Sequence, residues 1–306
     1  MTQRGNKPIE KLPIIKNVVA LTKNINLPGM KGLKLYDLLE LYIYGIIKGT
    51  FSYRAGAIAF SFFLALFPFA LFLLNLIPYI PVDNFQDEFL HFVEENVPPT
   101  TFGAIESILV DIMNNSYQPL LSWGGIMTIF FMANGMNTII GGFESSYHLS
   151  ITRNFFKQYL VAAILSVVLC FFFVLSLALY FSVGFILQEF SEYKILLNLF
   201  RYAFLMIMFL IGISTLYKFS AKETMQLAFI SSGSIFTTLL VGASSYGFGI
   251  YVIYFSKYNE LYGSIGTLLV IMIYIWLNCL ILLLGFDLNA TIFKLKQKKG
   301  ILAKEK

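Results

Sequence analysis

The sequence predicts an all-α fold: a polytopic membrane helical bundle of six transmembrane helices, with N- and C-termini cytoplasmic. Of 306 residues, 58% are hydrophobic and only 13% are charged, whereas soluble domains carry about 25% charged residues. Uncharged blocks of roughly 20 residues recur along the chain, which is the length that about 30 Å of hydrocarbon requires. The basic residues are segregated as membrane topology demands.

Six spans are predicted from the apolar blocks, and they divide the chain into three parts. Residues 1–55 form a cytoplasmic segment, residues 56–293 form the transmembrane domain, and residues 294–306 form a basic cytoplasmic tail. Residues 81–118 are an extracytoplasmic helical loop within the transmembrane domain. The spans run over residues 56–80, 119–142, 159–187, 199–219, 226–250 and 263–293.

The distribution of charge fixes the predicted orientation. With both termini inside, nineteen of the 22 Lys and Arg residues are cytoplasmic. The outer loop 81–118 contains no Lys or Arg but seven Asp and Glu. Because this pattern is the positive-inside distribution, the net charge of +5 reflects topology. We expect membrane lipids, and no nucleic acid, as partners.

Two segments flank the spans without crossing the membrane. Residues 33–49 are apolar with flanking lysines and too interrupted by charge to span, so we expect an interfacial helix. Outside, residues 83–97 and 102–112 form two amphipathic helical patterns. Two interpretations remain open for this pair: a cap folded back on the span ends, or a docking surface at 83–113 for a membrane or periplasmic protein.

Polar residues form a stripe on the second span, where an apolar helix would need none. Asn134, Asn137, Gly141, Glu144 and His148 fall within an arc of about 80° at 100° per residue. An Asn amide left unpaired in hydrocarbon costs a few kcal/mol, on the order of 2 or more. The stripe is therefore expected to face protein or water.

The fifth and sixth spans carry similar stripes. Two interpretations are open: dry packing faces of small and hydroxylated residues, or the walls of a polar cavity between spans two, five and six. Asp287 lies nearly opposite the stripe of the sixth span. The candidate cavity-lining residues are Asn134, Asn137, Glu144, Ser231, Ser234, Thr238, Gly242, Ser245, Asn278 and Asn289.

Four ionisable residues lie at the depth of the cytoplasmic interface: Arg54, Glu144, His148 and Asp287. One interpretation is that each side chain reaches into headgroups and water. The other is an ion-paired cluster, Arg54 with Glu144 or Asp287, at the mouth of a cavity, where a low local dielectric strengthens pairing.

Motifs near both ends of the transmembrane domain resemble the YihY/BrkB family of bacterial inner-membrane proteins. The stretches are SYRAGAIAFSFFLALFPFALFLL from Ser52, GMNTIIGGFESSYH from Gly135, and YGSIGTLLVIMIYIWLNCLILLLGFDLNA from Tyr262. Asp287 stands where Glu is commoner. The resemblance implies six transmembrane helices, cytoplasmic termini and a multi-pass protein of the bacterial inner membrane. Some family members have carried a ribonuclease label, formerly ribonuclease BN, but the resemblance implies no established reaction.

The residues do not favour an enzyme. The two histidines, His91 and His148, are predicted on opposite sides of the membrane, and Cys170 and Cys279 lie in spans without a metal-ligand spacing. We expect no catalytic residue, metal or cofactor. The favoured function is translocation or handling of a small solute or lipid through the polar cavity. The alternative is a membrane scaffold or assembly factor acting through its extracytoplasmic and interfacial helices.

Overall fold

The structure, a computed structural model, describes most of the chain from residue 35 to residue 298. The described residues are 35–76, 85–96, 118–146, 154–188, 194–221, 227–255 and 259–298, with some residues between 102 and 113. All regular structure within these ranges is helical, which confirms the all-α prediction there. His148 lies outside the described residues.

Eight helices of the described chain are numbered in order. Two are short and flank the bundle, and six are long. The helices are α1 (Leu35–Lys48), α2 (Phe51–Leu76), α3 (Phe85–Asn96), α4 (Gln118–Glu144), α5 (Phe155–Gln188), α6 (Lys194–Ser220), α7 (Ser232–Phe255) and α8 (Asn259–Lys298).

Five of the described helices are long and apolar enough to cross a membrane: α2, α4, α5, α6 and α8. The predicted fifth span corresponds to α7, a helix of 24 residues without a charged side chain. At about 1.5 Å per residue this length suffices for a bilayer, but Ser, Thr and Gly lower its hydropathy. The protein is thus an all-helical, multi-pass membrane protein. The sixth crossing and the cytoplasmic position of the termini remain predictions.

The six long helices form a closed ring. Each packs on the next in the order α2, α4, α5, α6, α7, α8, and α8 returns to α2. Contacts between helix ends show that their directions alternate. Arg54 at the start of α2 bonds Gly142 near the end of α4, and Tyr217 near the end of α6 bonds Thr237 near the start of α7. The starts of α2, α5 and α7 therefore lie at one end, together with the ends of α4, α6 and α8.

Helix α1 packs against this end of the ring, which is called the α1 end below. Leu38 joins a buried cluster with Ile292 and Phe293 of α8, and the Tyr42 hydroxyl donates to the Leu284 carbonyl at 3.0 Å. Burial, and then the negative charge of Asp287, raise the pKa of Tyr42. One end of the ring is thus braced from outside by the N-terminal helix.

A sharp corner joins α1 to α2. Thr50 has a φ of 45°, the left-handed region that a β-branched residue rarely adopts. At Gly49 a Cβ would lie 2.5 Å from the Phe51 ring and 2.7 Å from the Gly45 carbonyl oxygen, so only glycine fits. On the outer side of α1, Ile43, Tyr44 and Ile47 are exposed, as expected for a helix at a membrane surface.

The outer helices fold back on the end of α2. Phe89, Leu90 and Val93 of α3 pack with Leu74 of α2 and with Leu109 and Met113 of the segment around 102–113. Phe89, Leu90 and Val93 of α3 are thereby packed against other residues of the chain, as in the cap arrangement. A protein partner for residues 83–113 stays a prediction.

Candidate functional site

The interior of the ring is closed at the α1 end by three aromatic side chains, called the plug. Phe143 of α4 stacks on Phe286 of α8 with ring centroids 4.1 Å apart. Tyr217 of α6 meets Phe143 edge-on at 5.6 Å and Phe286 at 5.7 Å. All three are buried, as are Ile58 and Leu283 beside them. The plug therefore joins three helices that are not consecutive in the ring.

Away from the α1 end, some side chains on the same inner faces become exposed, although Ala65, two turns from Ile58, is buried. Residues four or seven apart share a helix face. Phe62 follows the buried Ile58 by one turn and is 44% exposed, and Phe209 precedes the buried Ile213 by one turn and is also 44% exposed.

The other four long helices follow the same rule. Ile129, Phe173, Ser245 and Ile271 are exposed, each one or two turns from a buried residue of its inner face: Met136, Ser166, Thr238 and Ile275. The inner faces are thus buried at the α1 end and exposed farther along at these six positions. The part of the ring interior around them is called the lumen, defined by Phe62, Ile129, Phe173, Phe209, Ser245 and Ile271.

Polar groups line the side of the lumen where α7 meets α8. The Ser245 and Tyr274 hydroxyls are 2.7 Å apart. The Ser244 hydroxyl donates to Asn278 Oδ1 at 3.2 Å, and Asn278 Nδ2 donates to the Tyr274 carbonyl at 2.8 Å. The Phe248 ring stacks on Tyr274 with centroids 4.2 Å apart. The structure therefore brings the predicted residues Ser245 and Asn278 together, and Ser245 is exposed to the lumen.

Nearer the α1 end, the same two helices interlock. Asn289 Oδ1 accepts from the Gly233 amide at 2.9 Å, and its Nδ2 donates to the Ser231 hydroxyl at 2.7 Å. The Ser234 hydroxyl donates to the Ser231 carbonyl at 2.9 Å. The predicted residues Ser231, Ser234 and Asn289 are thus brought together, and they form a dry packing contact between α7 and α8.

Two glycines, Gly233 and Gly285, allow this contact. A Cβ on Gly233 would overlap the Gly285 carbonyl oxygen and would lie 2.6 Å from Asn289 Oδ1. A Cβ on Gly285 would overlap the Thr237 hydroxyl and would lie 2.7 Å from the Tyr217 hydroxyl. That hydroxyl bonds Thr237 at 2.6 Å and donates to the Leu282 carbonyl at 2.7 Å. Tyr217 and Thr237 were not predicted from the sequence. Tyr217 lies near the end of the fourth predicted span and Thr237 in the first half of the fifth. Because consecutive spans run in opposite directions, both hydroxyls were expected toward the same side of the membrane, and this could have pointed to their contact.

The remaining α7 candidates serve packing within and beside that helix. The Thr238 hydroxyl donates to the Ser234 carbonyl, one turn back, at 2.8 Å, and Thr238 is buried. A Cβ on Gly242 would lie 3.1 Å from the terminal methyl group of Met206 on α6. Gly242 therefore lets α6 approach α7.

The stripe on α4 is not brought to α7 and α8 as a unit. Asn134 is exposed on a face shared with the exposed Met127 and Phe130, which points away from the plug residue Phe143. The Asn137 carbonyl accepts from Gln158 of α5 at 3.4 Å. The predicted stripe spans an arc of about 80°. Its centre faces α5, and its edge at Asn134 faces out of the ring, so one common orientation for the whole stripe was wrong.

Opposite charges meet where α2, α4 and α8 converge at the α1 end. Asp287 is 1% exposed and Arg54 is also buried, and their charges attract each other. Asp287 accepts a hydrogen bond from Ser146, just after α4. Arg54 donates to the Gly142 carbonyl and to the Gly49 carbonyl, the latter at 2.9 Å. This group, Arg54, Asp287, Ser146 and Gly142, is called the ionic cluster.

The ionic cluster lowers the cost of placing charged groups near a membrane interior. A lone Arg or Asp at the centre of a bilayer costs about 2.5–3.5 kcal/mol, and pairing with hydrogen bonds offsets that cost. The Arg54 guanidinium also lies 5.0 Å from the centre of the Phe51 ring. Glu144 is buried at the same end. In the part of the chain that the structure describes, no three His, Cys, Asp or Glu residues are placed to hold a metal ion.

Comparisons with known proteins agree with the helical bundle. A sequence profile of the family described as Virulence factor BrkB matches residues 43–305. A ribonuclease-like protein of Bacillus subtilis, YfkH, is 30% identical over 251 residues, which covers 80% of this chain and 90% of that protein.

More distant relatives carry only a membrane-protein name. A UPF0761 membrane protein of Aggregatibacter aphrophilus is 22% identical over 257 residues, covering 83% of this chain and 91% of that protein. One of Coxiella burnetii is 24% identical over 247 residues, covering 76% and 85%. No solved structure matches significantly. Since the family profile spans nearly all of the described helices, the chain belongs to the BrkB family.

Proposed function

We propose that this membrane protein translocates or handles a small solute or lipid through the lumen, with α7 and α8 supplying its polar side. The observation that carries the proposal is the change in burial along the inner faces. Phe143, Tyr217 and Phe286 close the α1 end, whereas Phe62 and Phe209 are exposed farther along. A bundle whose only task was dry packing would bury its inner faces over their whole length.

The chemistry of the lumen favours an amphiphile within this class. Five of the six residues that define it are apolar, and three of those are phenylalanine. Among the described residues, Ser245, Tyr274 and Asn278 place hydroxyl and amide groups on one side of the lumen. A molecule with an apolar body and one polar group matches both surfaces, since small-molecule sites are mostly apolar with a few polar groups that fix orientation.

The proposal includes α7 as the sixth transmembrane crossing. This helix lies between α6 and α8 in the ring, and its direction alternates with theirs. We assign the α1 end to the cytoplasm of a bacterial inner membrane, because the Lys and Arg residues are concentrated there. The lumen then opens toward the outside.

A scaffold or assembly factor is the alternative. It would use the exposed apolar side of α1, at Ile43 and Ile47, or the acidic surface of the outer helices. Phe89 and Leu109 pack in the same apolar cluster, and this packing leaves less of their apolar surface for a protein partner. Mutation of these two residues, with the lumen intact, separates the alternatives. We also propose that the protein is not an enzyme.

Cysteine accessibility tests the lumen directly. In a protein with Cys170→Ala and Cys279→Ala, S245C is expected to react with a membrane-impermeant maleimide added from the side opposite α1. The matched control N134C, on the lipid-facing side of α4, is expected to stay unlabelled. If S245C does not react from that side, or if N134C reacts as fast, the lumen proposal fails.

Transport is tested in proteoliposomes with a fluorescent phospholipid and a membrane-impermeant quencher. Active protein should expose the inner-leaflet probe to the quencher faster than protein-free liposomes do. S245W, which fills the lumen, should slow this exchange, whereas L239W on the outer side of α7, where Leu239 is exposed, should not. Equal rates with and without protein would limit the proposal to other solutes, and equal inhibition by both variants would contradict the lumen as the path.

A further inference from the structure

The ionic cluster and the plug are built from neighbouring residues on the same helices. Gly142, whose carbonyl accepts from Arg54, precedes the plug residue Phe143. Asp287, which faces Arg54, follows the plug residue Phe286. Phe143 and Phe286 stack face to face with centroids 4.1 Å apart. The ionic cluster includes the residue before Phe143 and the residue after Phe286, so it holds both stacked side chains in position.

We propose that the ionic cluster is the latch of an inner gate, and that the gate opens when Asp287 takes up a proton from the aqueous phase at the α1 end. This inference rests on the proposed lumen, of which the plug is the closed end. Opening would connect the lumen to the α1 side and give the protein the second aqueous access that a transporter needs. Intramembrane carboxylates commonly serve as such proton sites.

The geometry explains how one proton acts on the plug. With Asp287 charged, its attraction holds the Arg54 guanidinium in place while Arg54 bonds Gly142 and Gly49. A neutral Asp287 removes that attraction and leaves the buried Arg54 charge without its compensating anion. Arg54 is then favoured to move toward water, and its bond to the residue before Phe143 is lost.

The surroundings of Asp287 offer a route for the proton. Tyr42 of α1 and Ser146 after α4 carry hydroxyls next to it. The bond from Tyr42 to the Leu284 carbonyl also ties α1 to the same stretch of α8. Arg54 on α2, Tyr42 on α1 and Glu144 at the end of α4 lie at this end of the described chain. Other charged groups there include Asp37, Glu40 and Lys48 on α1, Lys157 on α5, Lys218 on α6, and Lys294 and Lys296 on α8.

A reporter cysteine behind the plug tests the latch without knowledge of the substrate. T238C, in a protein with Cys170→Ala and Cys279→Ala, replaces a buried side chain beside Thr237, the partner of Tyr217. An impermeant maleimide is added at the α1 end of membrane vesicles, whose orientation is checked with a protease-sensitive tag on the C-terminal tail. Each rate is divided by the rate for the same protein unfolded in SDS at the same pH, which removes the pH dependence of thiol reactivity.

The expected result is at least a tenfold faster normalised rate at pH 5.5 than at pH 8. D287N should label at the fast rate at both pH values, and E40Q, which neutralises a carboxylate on α1, should behave like the parent protein. A parent rate independent of pH overturns the proposal, and this arm holds even if D287N does not fold. A folded D287N that stays protected at pH 8, or an E40Q that opens, overturns it as well.

The S245C and T238C measurements distinguish a wrong latch from a wrong lumen. S245C, labelled from the side opposite α1, reports on the lumen alone. If S245C reacts while T238C shows no dependence on pH, the lumen stands and the latch is wrong. If S245C does not react, the proposed function itself fails.

Discussion

Alanine at Gly285 is predicted to destabilise the bundle strongly, because the added methyl group has no room. Its carbon would overlap the Thr237 hydroxyl and would lie 2.9 Å from the Gly233 carbonyl oxygen. Forcing extra volume into a packed core costs about 1–3 kcal/mol. Displacement of Tyr217 adds roughly 0.5–1.5 kcal/mol for each hydrogen bond that it loses.

If both Tyr217 hydrogen bonds are lost, the expected loss in free energy of unfolding is roughly 2–6 kcal/mol. At about 1.4 kcal/mol for each factor of ten, the ratio of folded to unfolded protein falls roughly 30- to 20,000-fold. The measurement is reversible unfolding by SDS in mixed micelles, followed by circular dichroism. A loss of this size should appear as a clear shift of the transition to lower SDS.

Gly247→Ala is the matched control on α7. Nothing lies within 4 Å of a Cβ at Gly247, so alanine there should be neutral or should stabilise the helix by about 0.5–1 kcal/mol. Equal stabilities of the Gly285→Ala and Gly247→Ala proteins would refute the inferred close approach of α7 and α8. Destabilisation by both would show that the effect is not specific to the crossing.

Two further predictions concern single residues, and a third concerns RNA cleavage. Tyr217→Phe should lower the free energy of unfolding by about 1–3 kcal/mol, since it loses bonds to Thr237 and the Leu282 carbonyl; an unchanged SDS transition would contradict those bonds. Asn134→Leu should leave stability unchanged or raise it, because Asn134 faces lipid beside apolar residues, and a loss above about 1 kcal/mol in the same assay would contradict that placement. Purified protein should not cleave RNA, and any cleavage abolished by Glu144→Ala in a gel assay would contradict the proposal that it is not an enzyme.

The helices and the faces of α8 could be predicted from the sequence, because hydrophobicity and helical period act locally. Asn278, Gly285 and Asn289 were placed on one face and Asp287 nearly opposite. In the structure that face packs on α7, while Asp287 turns toward Arg54. The sequence left two candidate carboxylates for Arg54, Glu144 and Asp287, because a buried Arg is stabilised by a carboxylate from another helix. In the structure the charges of Arg54 and Asp287 attract each other.

The position of Asn134 could not be predicted in the same way. In a membrane both the lipid side and the protein side of a helix are apolar, so the pattern on α4 gives no direction toward the centre of the ring. The plug was missed for a related reason. Phe143, Tyr217 and Phe286 are three among many aromatic residues, and only the tertiary arrangement of α4, α6 and α8 shows which of them meet.

Closure of the ring has a consequence for how the protein is made. Arg54 enters the membrane in the first long helix, whereas Asp287, whose charge attracts it, is in α8. Until α8 is inserted, the Arg54 charge has no Asp287 nearby, and burying it at the bilayer centre would cost about 2.5–3.5 kcal/mol. The insertion machinery or the headgroup region has to shelter that arginine until α8 arrives. Truncated chains that end before α8 should then be poor substrates for insertion and early targets for proteolysis.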